Sequence, residues 1–250
     1  MLPLRLGELT TEECATLLRA PSPVVLFPVG STEPHGPHLP LATDAILSEH
    51  ACLLAAERLR AHGISAVVAP TLAYGVTRYA ADFAGAVSLS PDTATRVVEE
   101  LLAGWRAAGF SRVCVVNNHL EPEHVDALVA AVARVPGAIF ANQLTRRWGR
   151  TLSEEFRRGD CHAGRYESAL VLAARPELVH DDVRRTLPPV PISLAEAIRA
   201  GKRTFLQMGG DRAYFGTPAA ATPEEGIEQY ERLVAMVVSE VRESLEGSPA

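Results

Sequence analysis

A dense block of imidazole and carboxylate side chains follows the first apolar run of the chain. Residues 28–44 place Glu33, His35, His38 and Asp44 within twelve positions directly after that run. In an extended chain, Glu33 and His35 are two residues apart and point to the same side. Histidine combined with carboxylate is a ligand set that suits Zn²⁺, Mn²⁺ or Fe²⁺. The block therefore predicts a metal site, although Asp44 alone could be an acid in the first turn of a helix.

The same pairing of imidazole and carboxylate occurs again in the stretch Asn117-Asn118-His119-Leu120-Glu121. Considered alone, His119 could be an ordinary hydrogen-bonded loop residue, and Glu121 could be an acid at a helix start. Together with the first block, however, five candidate ligands that include several carboxylates exceed what one tetrahedral ion requires. We therefore expect a two-metal site with a bridging carboxylate.

A third stretch, from Asp160 to Ala169, contains His162 and, five residues later, Glu167. We expect His162 at a junction between a loop and a helix, and Glu167 on the second turn of that helix. The unperturbed pKa of histidine lies close to physiological pH, so His162 could move a proton during a reaction. The plainer alternative is a helix start with a histidine near its cap and a solvated glutamate.

Arginines are concentrated around this third stretch although the chain as a whole is acidic. A solvated basic helix face or a subunit contact would explain them. The functional alternative is that Arg158 or Arg165, beside His162, binds an anionic group of a substrate through guanidinium–carboxylate pairing. The cluster consists of Arg146, Arg147, Arg150, Arg157, Arg158 and Arg165.

Alternating strands and helices must position these side chains. Short apolar, β-branched runs predict buried strands over residues 22–29, 66–70, 112–117 and 138–141. Caps and apolar periodicity predict helices over about 43–61, with Thr43 as the cap, 91–108 and 122–135. A capping box at Thr222 to Glu225 predicts a long final helix. Its expected apolar stripe consists of Ile227, Tyr230, Val234, Val237, Val238 and Val241.

This alternation predicts an α/β fold with three α/β/α layers, in which helices cover both faces of a mainly parallel sheet. The sequence shows no internal repeat and no linker rich in Pro, Gly or Ser, so we expect one domain over residues 1–250. In open parallel sheets, ligands bind at the carboxyl ends of the strands. Two of the polar clusters follow such ends, at Val29 and Asn117, and we expect them to meet there.

Composition and charge exclude several classes of protein. The 250 residues are 47% hydrophobic and 22% charged, which is typical of a globular protein and not of a disordered one. The formal net charge is −6, whereas general nucleic-acid binders carry an excess of basic residues. The apolar stretches are too short to span a bilayer, and the first residues show no signal-peptide pattern. Four scattered cysteines without a C-x-x-C pair fit reduced thiols, so we expect a cytoplasmic protein.

The three polar stretches resemble the signatures of the creatininase (creatinine amidohydrolase) family. Residues 28–44 are similar to its P-x-G-S-x-E-x-H-G-x-H-L-P-L-x-T-D block, residues 117–119 to its N-G-H block, and residues 162–167 to its H-A-G-x-x-E block. The resemblance spans about residues 20–175. It implies a parallel-sheet α/β fold, a centre of two zinc or manganese ions (iron in some branches) and hydrolysis of amide-type C–N bonds. It also implies a homo-oligomer, often a hexamer.

The resemblance implies a ligand set when it is carried over residue by residue. Glu33, Asp44 and His119 would hold one metal ion. His35, Asp44 and Glu121 would hold the other, with Asp44 as the bridge between them.

The resemblance also implies catalytic residues, since His162 and Glu167 fall on the active-site histidine and glutamate of the family. The expected enzyme is a metal-dependent amidohydrolase with two divalent ions, Zn²⁺ and/or Mn²⁺, that activate a water. His162 would protonate the leaving nitrogen. The expected partner is a small-molecule amide, with no nucleic acid and no membrane.

Several positions depart from the family pattern on the substrate side of the site. Pro34 replaces the usual Gln, Asn118 replaces a Gly, and residues 79–85 lack the usual His and Pro. Arg158 stands where creatininase carries a Trp that covers the ring of its substrate. We therefore expect an intact metal site beside a pocket unlike that of creatininase. A cyclic amide, a formamide, a small modified peptide and a non-catalytic accessory role all remain open.

Overall fold

A computed structural model describes residues 2–247, and its sheet consists of four parallel strands in the order β2-β1-β3-β4. The strands are β1 (Val24–Val29), β2 (Ala66–Val68), β3 (Arg112–Asn117) and β4 (Ala138–Ala141). All six residues of β1 are buried, as a strand covered on both faces requires. The four predicted strands are therefore present, and two of them are shorter than predicted.

The differences at the strand ends have local causes. Ser22 has a φ of 49°, which lies outside the extended region, so β1 begins only at Val24. Strand β2 ends at Val68, two residues before Pro70, which has no N–H group to donate to a sheet.

The register of the sheet brings the ends of β1 and β3 side by side. Val24 lies opposite Arg112 at the start of the pair, and Val29 lies opposite Asn117 at its end. The loops that follow these two residues carry the first two polar clusters of the sequence. The predicted meeting of the clusters at one edge of the sheet is therefore a direct result of parallel pairing.

Helices cover both faces of the sheet and complete a three-layer α/β fold, which confirms the predicted fold class. Alternate residues of β1 point to opposite faces: Leu26 packs in the cluster formed with helices α2, α7 and α11, and Phe27 packs in the cluster formed with α1, α3 and α4. The helices are α1 (Thr11–Leu18), α2 (Thr43–Ala61), α3 (Pro91–Ala107), α4 (Pro122–Arg134), α5 (Arg146–Gly149), α6 (Glu154–Arg158), α7 (Arg165–Ala174), α8 (Asp181–Arg184), α9 (Leu194–Arg199), α10 (Phe205–Met208) and α11 (Pro223–Glu246).

Two predicted helix starts can be compared with their caps. The Ser90 hydroxyl accepts a hydrogen bond from the Thr93 N–H at 3.2 Å, and Pro91 occupies the first turn of α3, as predicted. Thr43, in contrast, is not the cap of α2. It is the first residue of the helix, and its hydroxyl donates to the Pro40 carbonyl at 2.7 Å.

The final helix, α11, forms as predicted but with two differences. The Thr222 hydroxyl caps it by accepting from the Glu225 N–H at 3.3 Å, whereas the Glu225 carboxylate pairs with Arg165 and does not close a capping box. The predicted stripe is buried except for Ile227, which is 59% exposed. At this end of α11, Gly226 lies against α7. The two helices are so close there that a Cβ added to Gly226 would lie 2.0 Å from the Ala169 carbonyl oxygen. The buried face is therefore rotated away from Ile227.

The two ends of the predicted domain, Met1 and residues 248–250, lie outside the described residues. Within residues 2–247, no helix combines the length and the apolar character that crossing a bilayer requires.

Candidate metal centre

The edge of the sheet at Val29 brings Asp44 against the strand end. Gly30 follows β1, and a Cβ built on it would lie 2.8 Å from the Asp44 Cβ and 2.6 Å from the Ala45 nitrogen. Because glycine has no side chain, the first turn of α2 can approach the strand end this closely. Asp44 is thereby placed between the loop that follows β1 and the loop that follows β3.

Asp44 lies between two imidazoles. Its Oδ1 is 3.2 Å from His35 Nε2, and its Oδ2 is 3.1 Å from His119 Nδ1. Glu33 Oε1 is 3.2 Å from the same His119 nitrogen. All four side chains are buried. A carboxylate that reaches two imidazoles through its two oxygens has the arrangement of a bridging metal ligand.

A second carboxylate approaches His35 from α7. Glu167 Oε2 lies 3.5 Å from His35 Nε2. Three sets of buried ligand atoms, each within 4.8 Å of one another, occur among the described residues: Glu33, Asp44 and His119; His35, Asp44 and Glu167; and Glu33, His35 and His162. The first set equals one of the two that the family resemblance implies. The second contains Glu167 where Glu121 was expected.

The Glu121 carboxylate is hydrogen-bonded to backbone N–H groups. Its carboxylate accepts hydrogen bonds from the Arg78 N–H at 2.9 Å and from the Tyr79 N–H at 3.2 Å. Burial raises the pKa of Glu121 to about 7, against the opposing effect of His119. Glu121 lines the cavity above the cluster, but it is in none of the three ligand sets. Its role as a ligand stays a prediction.

In both His119 and His35, the outer ring nitrogen, which is the one that points away from Asp44, is hydrogen-bonded to a backbone carbonyl. His119 Nε2 donates to the Val76 carbonyl at 2.6 Å, and His35 Nδ1 donates to the Glu33 carbonyl at 3.0 Å. A carbonyl oxygen can only accept, so each outer nitrogen carries the proton. The inner nitrogens then offer lone pairs to the space between the carboxylates, as metal-binding histidines do.

The electrostatics of the cluster favour cations. Burial by itself lowers the pKa of His35, but Asp44, Glu167 and Glu33 together raise it to about 10. The pKa of His119 is likewise raised well above its usual value, because Glu33 and Asp44 outweigh burial. A place that stabilises positive charge on buried imidazoles also stabilises a metal ion.

Unsatisfied atoms in the cluster support the same conclusion. Glu33 Oε2, His35 Nε2 and Asp44 Oδ2 are buried and have no hydrogen-bond partner in the described part of the chain. Asp44 Oδ2 is close to His119 Nδ1, but not in hydrogen-bonding geometry. Buried polar atoms are rarely left without partners, so a divalent ion fits the residues present.

His162 lies beside this cluster with a defined proton position. Its Nε2 donates to the Pro34 carbonyl at 3.1 Å, which leaves Nδ1 as an acceptor 3.6 Å from Glu33 Oε1. Burial, with help from His35, lowers the pKa of His162 to about 4. The ring of Phe205 packs on the imidazole with 4.3 Å between ring centroids. His162 is thus a neutral base held in an apolar contact.

A strained turn connects His162 to Glu167. Ala163 has a φ of 47°, a region that residues with a Cβ seldom adopt, and its N–H donates to Glu167 Oε2 at 2.7 Å. Helix α7 begins at Arg165, so Glu167 lies in its first turn. The sequence had predicted the second turn. The strained turn at Ala163 aims the carboxylate at His35.

Other polar residues singled out in the sequence lie away from the cluster. His38 is in none of the ligand sets, and its Nε2 is 2.9 Å from the Ser168 hydroxyl. Arg158 pairs with Asp160 at 3.4 Å, and Arg165 pairs with Glu225 at 2.6 Å. Both arginines line a charged depression that is separate from the cavity above the ligands.

A cavity of about 500 Å³ opens onto the ligand cluster. One wall comes from residues 194–205, a segment in which sequence reasoning found no functional residue. The only signal there is the helical spacing of Leu194 and Ile198, which is equally typical of an ordinary packed helix. The apolar lining residues include Leu120, Leu144, Phe156, Leu194, Ile198 and Phe205.

Comparison with known proteins identifies the family. The family model described as "Creatininase: Creatinine amidohydrolase" matches residues 7–241. The chain belongs to the creatininase family. This confirms the family suggested by the three motifs, and with it an enzyme that hydrolyses amide-type C–N bonds.

Two kinds of curated creatininase-family relatives are similar to this chain. A mycofactocin precursor peptide peptidase from Mycolicibacterium smegmatis is 33% identical over 244 residues, which is 95% of this chain and 88% of that protein. The peptidase of the same description from Mycobacterium tuberculosis is 31% identical over 229 residues, which is 88% of this chain and 84% of that protein. A creatinine amidohydrolase from Pseudomonas putida is 28% identical over 211 residues, which is 74% of this chain and 79% of that protein.

A solved creatininase structure has the same fold. The structure described as "Creatininase Mn" aligns with a TM-score of 0.74 at 24% identity, covering 99% of this chain and 100% of that chain.

Proposed function

We propose that this creatininase-family enzyme is a two-metal amidohydrolase. The observation that carries the proposal is the buried Asp44 carboxylate, whose two oxygens face one imidazole each, 3.2 Å and 3.1 Å away. We infer that Glu33, Asp44 and His119 hold one divalent ion. In the second site, His35 and Asp44 are joined by Glu167, in place of the Glu121 expected from the family pattern. Zn²⁺ and Mn²⁺ suit this set of nitrogen and oxygen ligands.

Bound divalent ions would supply Lewis acidity, which lowers the pKa of a water and polarises an amide carbonyl. The protein supplies the proton transfer through His162. Its Nδ1 has a free lone pair beside Glu33, so it can accept the proton that the attacking water loses.

Hydrolysis needs one water molecule and one proton transfer through His162. The water oxygen forms a bond to the carbonyl carbon, and the C–N bond breaks. His162 Nδ1 passes its proton to the departing nitrogen, which would otherwise leave as a strongly basic amide anion. The close contact with Phe205 holds the imidazole in place for both transfers.

The cavity favours a substrate larger than a small polar ring. Its volume of about 500 Å³ falls within the range of pockets that enclose drug-sized ligands, roughly 300–1,000 Å³. Its walls are mostly apolar. We therefore infer that the substrate is a short, modified peptide or a peptide-derived amide, in keeping with the curated relatives described as precursor peptide peptidases.

A cyclic amide of the creatinine type is the second candidate, supported by the relative described as creatinine amidohydrolase. A non-catalytic accessory role has less support, because the complete ligand cluster and His162 are both retained. Homo-oligomeric assembly and a cytoplasmic location stay predictions.

Metal removal and a substrate panel test the proposal together. Protein treated with a chelator and then desalted should lose turnover, and addition of Zn²⁺ or Mn²⁺ should restore it. The panel should contain creatinine, formamides and short N-acylated peptides, with release of amine as the measurement. Full activity in protein shown by elemental analysis to be free of metal would refute the two-metal mechanism.

A further inference from the structure

In the described part of the chain, one permanently cationic side chain lines the cavity. Arg199 is the only arginine or lysine among the residues that line it. Its Nε donates to the Ala195 carbonyl at 3.2 Å, which anchors the base of the guanidinium at the end of α9. Within residues 2–247, no ion pair satisfies this arginine, whereas Arg158 and Arg165 are both paired with carboxylates. Arg199 is therefore available to a ligand.

An apolar surface accompanies this charge along the same wall. Leu194 and Ile198 belong to α9 together with Arg199, and they pack with Phe205 of α10 in one apolar cluster. Phe205 in turn contacts the proposed proton-transfer residue, His162. This wall of the cavity therefore places apolar side chains next to His162, and it carries the Arg199 guanidinium on α9.

The charges that line the cavity determine where an anionic group of a substrate can bind without blocking the reaction. The reacting end contains four carboxylates, those of Glu33, Asp44, Glu121 and Glu167. They would repel an anionic group, and a carboxylate attracted there by bound metal would occupy the place of the scissile carbonyl. Among the described residues of the lining, Arg199 offers the only fixed positive charge, so it favours one orientation of an anionic substrate.

We propose that the substrate carries a bulky apolar group beside the scissile amide and a carboxylate further along the chain, which Arg199 binds. This rests on the proposed amidohydrolase function and narrows its substrate class to N-acylated peptides with an apolar residue and a free carboxylate. Arg199 thus takes the anion-binding role that the sequence offered, as an alternative to a solvated basic face or a subunit contact, for Arg158 or Arg165.

Three matched peptides test this with metal-loaded protein: N-acetylphenylalanylglycine, its C-terminal amide, and N-acetylalanylglycine. The wild-type kcat/KM should be higher for the free acid than for its amide by about two- to fivefold, as expected for a solvent-accessible charged pair. The phenylalanine peptide should also be preferred over the alanine peptide. Arg199→Gln should abolish the preference for the free acid, mainly through KM. Arg158→Gln is the matched control, and it should retain the preference.

A binding measurement keeps this test independent of turnover. Titration calorimetry on metal-loaded His162→Gln protein should give the same preference for the acid over the amide, and adding Arg199→Gln should remove it. An unchanged preference in Arg199→Gln, or equal binding of acid and amide to the parent, would overturn the role of Arg199. If the acid binds preferentially but no peptide is cleaved by the wild type, the peptide-hydrolase proposal fails while the anion site stands.

Discussion

Glu167 Oε2 lies 3.5 Å from the Nε2 of His35, so a carboxylate on α7 reaches an imidazole in the loop that follows β1. Both side chains are buried, and burial raises the pKa of Glu167 to about 8, against the opposing effect of His35. The contact makes Glu167 the third member of the second ligand set.

The first prediction distinguishes Glu167 from Glu121 as a metal ligand. Glu167→Gln should lower the metal content from two ions per chain to about one, because it removes a carboxylate that can bind the ion in its ionised form. Glu121→Gln should keep two ions, because the Glu121 carboxylate is bound by backbone N–H groups. Elemental analysis of desalted proteins measures both. The reverse result would restore Glu121 as the ligand of the second site.

The second prediction concerns the bridge. Asp44→Ala should remove both ions, whereas His35→Ala should leave the ion held by Glu33, Asp44 and His119. Activity of His35→Ala should fall on the order of a hundredfold or more, because one ion must then activate the water and polarise the carbonyl. Metal content per chain is the measurement. Two ions retained in Asp44→Ala would show that Asp44 is not the bridge.

The third prediction concerns the support of His119. Asn117 Nδ2 donates to the His119 carbonyl at 2.6 Å, and Asn117 Oδ1 accepts from His124 Nε2 at 3.1 Å. Removing these contacts loosens the orientation of the His119 ring. Asn117→Ala should therefore weaken metal binding by roughly tenfold or more, measured by competition with a chelating dye. Asn142→Ala, at an asparagine that bonds only locally, serves as the control, and equal affinities in the two variants would exclude the support role.

The fourth prediction concerns the stability of the loop that carries His162. Glu155 is buried, and its carboxylate accepts hydrogen bonds from the Tyr166 N–H at 2.7 Å and the Thr217 N–H at 2.8 Å. Glu155→Ala leaves the buried Tyr166 N–H and the part-buried Thr217 N–H without their acceptor, so the free energy of unfolding should fall by about 1–3 kcal/mol.

Urea denaturation of metal-free protein is the measurement for this prediction. The neighbouring Glu154 has a side chain that is 74% exposed, and Glu154→Ala should change the unfolding free energy by less than about 0.5 kcal/mol. Equal stability of the two variants would show that Glu155 does not hold this part of the structure.

The sequence alone was enough to predict where the candidate metal centre lies. Apolar runs specified the buried strands, and histidine–carboxylate pairs stood directly after two of them, at Val29 and Asn117. Strands that alternate with helices form a parallel sheet, and the carboxyl ends of its strands lie at one edge, so Glu33, His35, Asp44 and His119 could be predicted to meet.

The tertiary structure was needed to show which further side chains lie beside that cluster and which side chains line the cavity. Sequence spacing cannot show that backbone N–H groups from residues 78 and 79 take up the Glu121 carboxylate, or that the turn at Ala163 aims Glu167 at His35. Arg199 likewise belongs to a short helix without a motif, and it reaches the cavity only through the packing of α9 and α10. These choices depend on long-range packing and on competition between hydrogen-bond donors, which local periodicity and spacing do not encode.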